Sequence, residues 1–220
     1  MRKSILPILL AALLTVSLFI PAAGLAADPA VSADQPGCAP QYRALADAAV
    51  VEIRGTGDME AVVVTDPLCW HCRLGHKLLG QYPELYGSLK LLFFPRAGSI
   101  GSDMAAWIIE DAAGTERLGL LLDFAYGTLR QPKTADLDEA RMLVLAQFAE
   151  AFPAMLSGTT LPELFDRLKQ DHEAHVLAGA ELARTAEIPG TPVLIAGGVL
   201  VMGYGPDAWL KALGEAGVCK

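Results

Sequence analysis

The sequence predicts an α/β fold in which a helical insertion interrupts a central mixed sheet of about four to five strands. Three features indicate this fold. A valine-rich run at 61–64 leads through a helical stretch to an apolar run at 88–94, helical patterns fill about 100–188, and two apolar runs joined by glycines lie at 192–202. The insertion therefore separates a β-α-β half from a C-terminal half made of a hairpin and a helix.

The first half is predicted to contain three strands and one helix. Residues 50–54 alternate in polarity, which indicates a half-exposed strand, whereas the uninterrupted apolar run within 60–65 indicates a strand buried on both faces. A helix is expected over about 69–81, because Pro83 limits its extension. The strand at 88–94 follows, and such a strand-helix-strand crossover implies parallel pairing.

The insertion is predicted to contain three to five helices. Apolar residues recur at helical spacing over about 100–188, and breaks fall at Gly114, at 131–133 and at 153–160.

The C-terminal half is predicted from two apolar runs, 192–196 and 199–202, which Gly197 and Gly198 connect as a hairpin. Residues 206–216 have an amphipathic pattern that indicates a last helix. Strand, helix, strand, inserted helices, hairpin and helix is the element order of a thioredoxin fold carrying an insertion.

The amino terminus has the features of a secretory signal peptide. Arg2 and Lys3 are positively charged, residues 5–20 are almost wholly apolar, and small side chains follow. We therefore expect cleavage of a signal peptide at 1–26 and export from the cytoplasm. An uncleaved anchor is the alternative, but the apolar run is short for a bilayer span.

Cleavage would leave about 190 residues, enough for one domain with a core. Prolines and small polar residues at 28–40 predict a flexible segment, and 41–49 predicts a short helix, so we assign 27–49 as a lead-in and 50–220 as the thioredoxin-like domain. The formal net charge of −8 becomes −10 on cleavage, because two positive and no negative charges are removed. This acidity argues against nucleic acid as a partner.

The tetrapeptide Cys69-Trp70-His71-Cys72 stands where the buried strand gives way to a helix, an arrangement typical of thiol-disulfide exchange sites. Free N–H groups and the helix dipole should lower the pKa of Cys69, which makes it the nucleophile. Cys72, one turn later, is placed to attack a mixed disulfide on Cys69. His71 can add a positive charge or a hydrogen bond, and the pair then becomes more oxidising. No cofactor is required.

Metal binding and a purely structural disulfide are the alternatives for this motif. A structural zinc site normally has a second close pair of ligands, and Cys38 and Cys219 lie far away in the sequence. A disulfide across so short a loop constrains the unfolded chain little. His172 and His175 lie three apart on a predicted helix and could share a face as metal ligands, but a solvated polar face explains them as well and is preferred. We therefore predict no metal site.

Three further side chains have simple predictions, and three stay open. Trp107 and Trp209 fall in apolar helical patterns and should pack in the core. Trp70 should be exposed and provide an apolar contact for unfolded substrate. His76 either acts electrostatically on Cys69 or is exposed. Cys38 and Cys219 lie near the two ends of the mature chain and either pair as a structural disulfide, stay free or link chains.

Several stretches resemble the catalytic domain of the periplasmic thioredoxin-fold disulfide oxidoreductases, most closely the DsbC and DsbG branch. The stretches are 65–72, 94–96 with Gly98 and 102–103, 190–192, and 203–206. The resemblance implies a periplasmic protein with a cis bond between Thr191 and Pro192 beside Cys69. An extended substrate can then pair with the backbone of Thr191. It also implies a membrane redox partner similar to DsbB or DsbD.

The chain departs from that branch in three ways. No room remains between signal and first strand for the branch's dimerisation domain, so we expect a monomer. The dipeptide Trp70-His71 matches neither branch, because a histidine next to the second cysteine resembles the oxidising DsbA and disulfide-isomerase sites, whereas the tryptophan is unusual. The buried acid found six residues before the first cysteine in thioredoxin and DsbA falls on Val63. The proton acceptor for Cys72 is therefore open, with water or Glu52 as suggestions.

These observations predict an exported enzyme, a thiol-disulfide oxidoreductase that exchanges disulfides with protein substrates. A disulfide isomerase of the DsbC type is the alternative within the same chemistry. A metal-binding or holdase protein that uses the same cysteines is the alternative from a different class. The reduction potential decides the direction of exchange, and the sequence does not specify it.

Overall fold

One mixed sheet forms the centre of the structure, a computed structural model that describes residues 36–215. Its spatial order is β1-β3-β2-β4-β5; only β2 and β3 run parallel, and the other neighbours are antiparallel. The α/β class, the parallel crossover and the hairpin are thereby confirmed. The strands are β1 (Val51–Arg54), β2 (Glu60–Thr65), β3 (Ser88–Phe93), β4 (Val193–Ala196) and β5 (Val199–Met202).

Seven α-helices surround the sheet in the described part of the chain, and four of them make up the insertion. Its breaks fall where the sequence predicts them. The longest helix of the insertion begins at a capping box, in which Thr160 and Glu163 satisfy each other's backbone N–H groups. The helices are α1 (Pro40–Ala48), α2 (Trp70–Gln81), α3 (Ser102–Asp111), α4 (Leu118–Gly127), α5 (Leu137–Ala151), α6 (Leu161–Thr185) and α7 (Pro206–Glu215).

The sheet is buried on both faces, as the valine run of β2 predicts. Ala61 and Val63 point to one side, into a core shared with α2, α7 and most of the insertion. Val62 and Val64 point to the other side, into a smaller core formed with α1 and the C-terminal half of α6. The sheet is therefore the middle of three layers, and the end of β2 is fixed from both sides.

The prediction of a flexible lead-in is wrong for residues 36–40. Residues Pro36–Cys38 form a short 3-10 helix, and the N–H of Gly37 donates to the carbonyl of Gly198 at 3.0 Å. A Cβ at Gly37 would lie 2.6 Å from the carbonyl oxygen of Gly197. This backbone packing against the β4–β5 turn depends on a close approach that composition does not reveal.

The predicted signal peptide and Cys219 lie outside the described residues, so cleavage and the pairing of Cys38 with Cys219 stay predictions. Across 36–215, no helix is both long and apolar enough to cross a membrane.

Helix α2, which begins at the cysteine pair, packs closely on α7. A Cβ at Gly75 would lie 2.6 Å from the ring of Trp209, a side chain that is fully buried. Gly80 lies on the same helix, is exposed, and has open space where a Cβ would be.

We predict that Gly75→Ala destabilises the protein by about 1–3 kcal/mol, because the rigid indole must move within a packed core. Gly80→Ala is the matched control and should stabilise it by up to about 1 kcal/mol, since alanine has the higher helix propensity. Urea unfolding of both variants measures the difference. Equal free energies of unfolding for the two variants would contradict the packing described for α2 and α7.

Candidate active site

Cys69 is the residue that precedes the first turn of α2, one residue earlier than the helix itself begins. Its backbone is extended and its N–H donates to the carbonyl of Asp66 at 3.0 Å. Its thiol lies 3.6 Å from the carbonyl oxygen of Thr191, 122 positions away in the sequence. The cysteine pair and the loop before β4 are therefore brought together by the fold.

The pKa of Cys69 is lowered to about 5 from an ordinary value of 9.0. The largest cause is a hydrogen bond from the Cys72 thiol, and half-burial of the sulfur opposes it. Backbone N–H groups of Cys72 and His71 and the side chain of Thr191 lower the pKa further. At neutral pH the sulfur is consequently a thiolate, the form that attacks disulfides.

Cys72 has the opposite environment. Its side chain is 2% exposed, and burial followed by the neighbouring Cys69 sulfur raises its pKa. The two thiols therefore differ sharply in acidity and in access. This division matches the chemistry of an attacking and a resolving cysteine.

The peptide bond between Thr191 and Pro192 is cis, as the resemblance implies. Pro192 is buried and Thr191 is half-buried beside the Cys69 sulfur. The carbonyl of Pro192 accepts a hydrogen bond from the N–H of Gly203, which fixes this loop to the end of β5. Substrate pairing with Thr191 and Pro192 stays a prediction.

The two residues between the cysteines are exposed, and Trp70 has 67% of its surface accessible. His71 acts on the Cys69 sulfur through its backbone N–H. A contribution from its imidazole, and the contact of Trp70 with substrate, stay predictions.

Asp66 is a part of the site that the sequence reasoning missed. It lies three residues before Cys69, is fully buried, and accepts hydrogen bonds from the backbone N–H groups of Leu68 and Arg96. Burial raises its pKa to about 6, and the Cys69 charge adds to this rise. The available signal was an acid between a buried strand and the cysteine pair.

The suggestion that Glu52 accepts the proton of Cys72 is wrong. Glu52 lies on the edge strand β1, where its carboxylate contacts Ser88 and Arg54. Strand β3 separates β1 from β2, so the two strands that are consecutive in sequence are not neighbours.

His76 was expected either to act electrostatically on Cys69 or to be exposed, and its contacts support neither alternative. Its ring stacks on that of Tyr126 at a centroid distance of 4.5 Å and lies 3.5 Å from a carboxylate oxygen of Asp123. Burial lowers its pKa. It therefore joins α2 to α4.

His172 and His175 do not form a solvated polar face, contrary to the preferred interpretation. Nδ1 of His175 lies 2.9 Å from a carboxylate oxygen of the buried Glu110, and His172 lies 3.5 Å from Asp111. These contacts fasten α6 to α3. Residues 36–215 contain no group of three or more side chains able to hold a metal ion. Trp107 and Trp209 are fully buried, which confirms their core positions.

No protein-family model matches the chain, and neither does any curated protein. Solved structures do match. A thioredoxin-like oxidoreductase from Silicibacter pomeroyi DSS-3 is 21% identical with a TM-score of 0.53, over 82% of this chain and 94% of that one. A linker-deletion variant of ScsC from Proteus mirabilis is 19% identical with a TM-score of 0.58, over 82% and 80%.

The thiol-disulfide exchange protein α-DsbA2 from Wolbachia pipientis is 18% identical with a TM-score of 0.53, over 79% of this chain and 92% of that one. These likenesses, with the five-stranded mixed sheet, show that the chain has a thioredoxin fold. The predicted closeness to the DsbC and DsbG branch stays a prediction.

We predict that Cys72→Ala raises the pH midpoint of Cys69 alkylation from about 5 by roughly one unit or more, because the principal hydrogen bond to the thiolate is lost. Cys72→Ser keeps a hydroxyl donor at the same place and should give an intermediate midpoint. Rates of iodoacetamide labelling across the acidic and neutral range measure both. A midpoint in Cys72→Ala equal to that of the wild type would show that Cys72 does not stabilise the thiolate.

Proposed function

We propose that this protein is an exported thiol-disulfide oxidoreductase that passes disulfides to protein substrates. The observation that carries the proposal is the position of the Cys69 sulfur, at the start of α2, hydrogen-bonded by Cys72 and 3.6 Å from the Thr191 carbonyl. This arrangement supports a stable thiolate next to the half-buried backbone of Thr191.

The exchange needs no cofactor, because the substrate and the cysteine pair supply all the atoms and electrons. A substrate thiolate attacks the Cys69 sulfur of the oxidised pair, a substrate–Cys69 disulfide forms, and Cys72 leaves with the electron pair and takes up a proton. A second substrate thiolate then attacks the substrate sulfur, and Cys69 leaves as a thiolate. Two electrons pass from the substrate to the protein, and a membrane partner similar to DsbB is proposed to remove them.

The acidity of Cys69 favours this direction. A thiolate with a low pKa is a good leaving group, and its stabilisation favours the reduced pair over the disulfide. Because the pKa of Cys69 is lowered, the reduced protein becomes more stable as the pH rises. The stabilisation of the reduced protein is complete above the ordinary value of 9.0 and is lost as the pH falls through about 5. Neutral pH lies inside this window.

The surface around Cys69 suits unfolded substrates. Trp70 and Met202 are exposed apolar side chains, and Met202 pairs in the sheet with Val193, the residue after the cis proline. They offer apolar contacts to an unfolded segment. An extended segment carrying a cysteine is the substrate that such a surface fits.

Export to the periplasm is part of the proposal. It is supported by the predicted signal peptide at 1–26 and by the likeness to a periplasmic thioredoxin-like protein from Salmonella enterica serovar Typhimurium, 20% identical with a TM-score of 0.52. Export would place the cysteine pair where protein disulfides form.

We predict that the oxidised protein restores disulfides to reduced, unfolded ribonuclease, and that Cys69→Ala abolishes this activity. Cys72→Ala, when incubated with oxidised substrate, should accumulate mixed disulfides on Cys69, because the resolving thiol is missing. Non-reducing electrophoresis and mass spectrometry detect them. The double variant lacking both thiols is the control and should trap nothing.

Copurification of a metal with the wild type, together with no disulfide transfer, would instead support the binding-protein alternative. If the protein reactivates scrambled ribonuclease faster than it oxidises reduced ribonuclease, the result would support the isomerase of the DsbC type.

A further inference from the structure

We propose that Asp66 is a positioning residue that makes the reactivity of Cys69 pH-dependent, because its buried carboxylate anchors both loops between which the Cys69 sulfur lies. The inference rests on the proposed thiol-disulfide exchange and concerns its regulation.

The first loop is the one that leads into α2. Oδ1 of Asp66 accepts a hydrogen bond from the N–H of Leu68 at 2.8 Å, and the carbonyl of Asp66 accepts one from the N–H of Cys69 at 3.0 Å. Asp66 therefore holds both residues at the start of the cysteine pair. No part of Asp66 is exposed to solvent, so water does not compete for these bonds.

The second loop is reached through Arg96. Oδ2 of Asp66 accepts hydrogen bonds from the N–H of Arg96 at 3.0 Å and from the hydroxyl of Ser102 at 3.3 Å. The guanidinium of Arg96 donates to the carbonyl of Pro189 at 2.9 Å. A Cβ at Gly190 would lie 2.6 Å from that guanidinium, so the group rests directly on the backbone of the loop.

This second loop ends at Thr191, whose carbonyl lies 3.6 Å from the Cys69 sulfur. The carboxylate of Asp66 thus anchors the segment before the nucleophile through Leu68 and, through Arg96, the loop beside the nucleophile. Hydrogen bonds to an ionised acceptor are stronger than those to a neutral one, so the anchoring depends on the charge of Asp66.

The titratable groups that face Asp66 lie on or next to two helices. Cys69, Cys72 and Arg73 lie on or next to α2, and the buried Tyr126 lies on α4. The thiolate of Cys69 and the carboxylate repel each other, whereas Arg73 attracts both and donates to the carbonyls of Pro67 and Leu129. Arg96 faces the carboxylate with its backbone N–H.

Ionisation of Asp66 consequently has two effects on Cys69. It strengthens the anchoring of both loops, and it makes the thiolate more basic and therefore more nucleophilic. Burial places this ionisation near pH 6, close to the titration of the thiol itself, so the two groups titrate as a coupled pair.

The test is the rate of Cys69 alkylation by iodoacetamide from about pH 4 to about pH 9. The wild type should show two steps, one for the thiol and one for Asp66. Asp66→Asn should show one step with a lower midpoint, since a neighbouring anion is gone. If the midpoint falls by about one unit, the plateau rate should fall roughly threefold, because nucleophilicity decreases with thiol pKa.

Glu110→Gln is the matched control. It removes another buried carboxylate with a raised pKa, but one that contacts His172 and His175 and not the thiols. It should keep both steps and the wild-type plateau. Asp66→Asn with the wild-type profile would overturn the inference, as would a midpoint that rises.

A second measurement uses the wild type and needs no variant. Isotope-edited NMR of the aspartate carboxyl carbons should show Asp66 titrating near pH 6 in the reduced protein and at a lower pH in the disulfide form, where the thiolate is absent. Identical titrations in the two redox states would refute the coupling. An ordinary thiol midpoint near 9.0 for Cys69 in the wild type would instead refute the proposed function.

Discussion

The hydrogen bonds donated to the Cys69 sulfur are the interaction on which the site depends. Cys69 occupies the position before a helix that is normally taken by Ser, Thr, Asp or Asn, whose oxygen accepts an N–H of the first turn. Here the backbone N–H groups of His71 and Cys72 lower the pKa of the Cys69 thiol, and the buried thiol of Cys72 contributes most to the lowering. One turn of helix thereby supplies both the acidity of the nucleophile and the position of the resolving thiol.

The sheet supplies the other half of the site. Strands β2 and β4 are antiparallel neighbours, with Val64 opposite Val193. The end of β2 therefore lies beside the start of β4, and the loop carrying Cys69 meets the loop carrying the cis bond at one edge of the sheet. Burial of β2 on both faces holds this junction rigid. A helical insertion of four helices is tolerated because it leaves β2, β3 and β4 paired.

Much of this was predictable from the sequence, because periodicity, glycine and proline breaks are local signals. They predicted the strands, an insertion of three to five helices, the hairpin and the cysteine pair. The role of Asp66 was not predictable from the sequence, since its partners Arg96 and Ser102 come from distant segments. The suggestion of Glu52 failed because strand order is not local. The prediction of a solvated face for the histidines of α6 failed because Glu110, which contacts His175, comes from the distant helix α3.

The fold stabilises the reduced pair through the Cys69 thiolate. The most direct measurement is the reduction potential of the Cys69–Cys72 pair at neutral pH, by equilibration with glutathione. Such stabilisation predicts a value nearer to about −120 mV, as in strongly oxidising pairs, than to about −270 mV, as in reducing ones. A value at or below about −270 mV would contradict it.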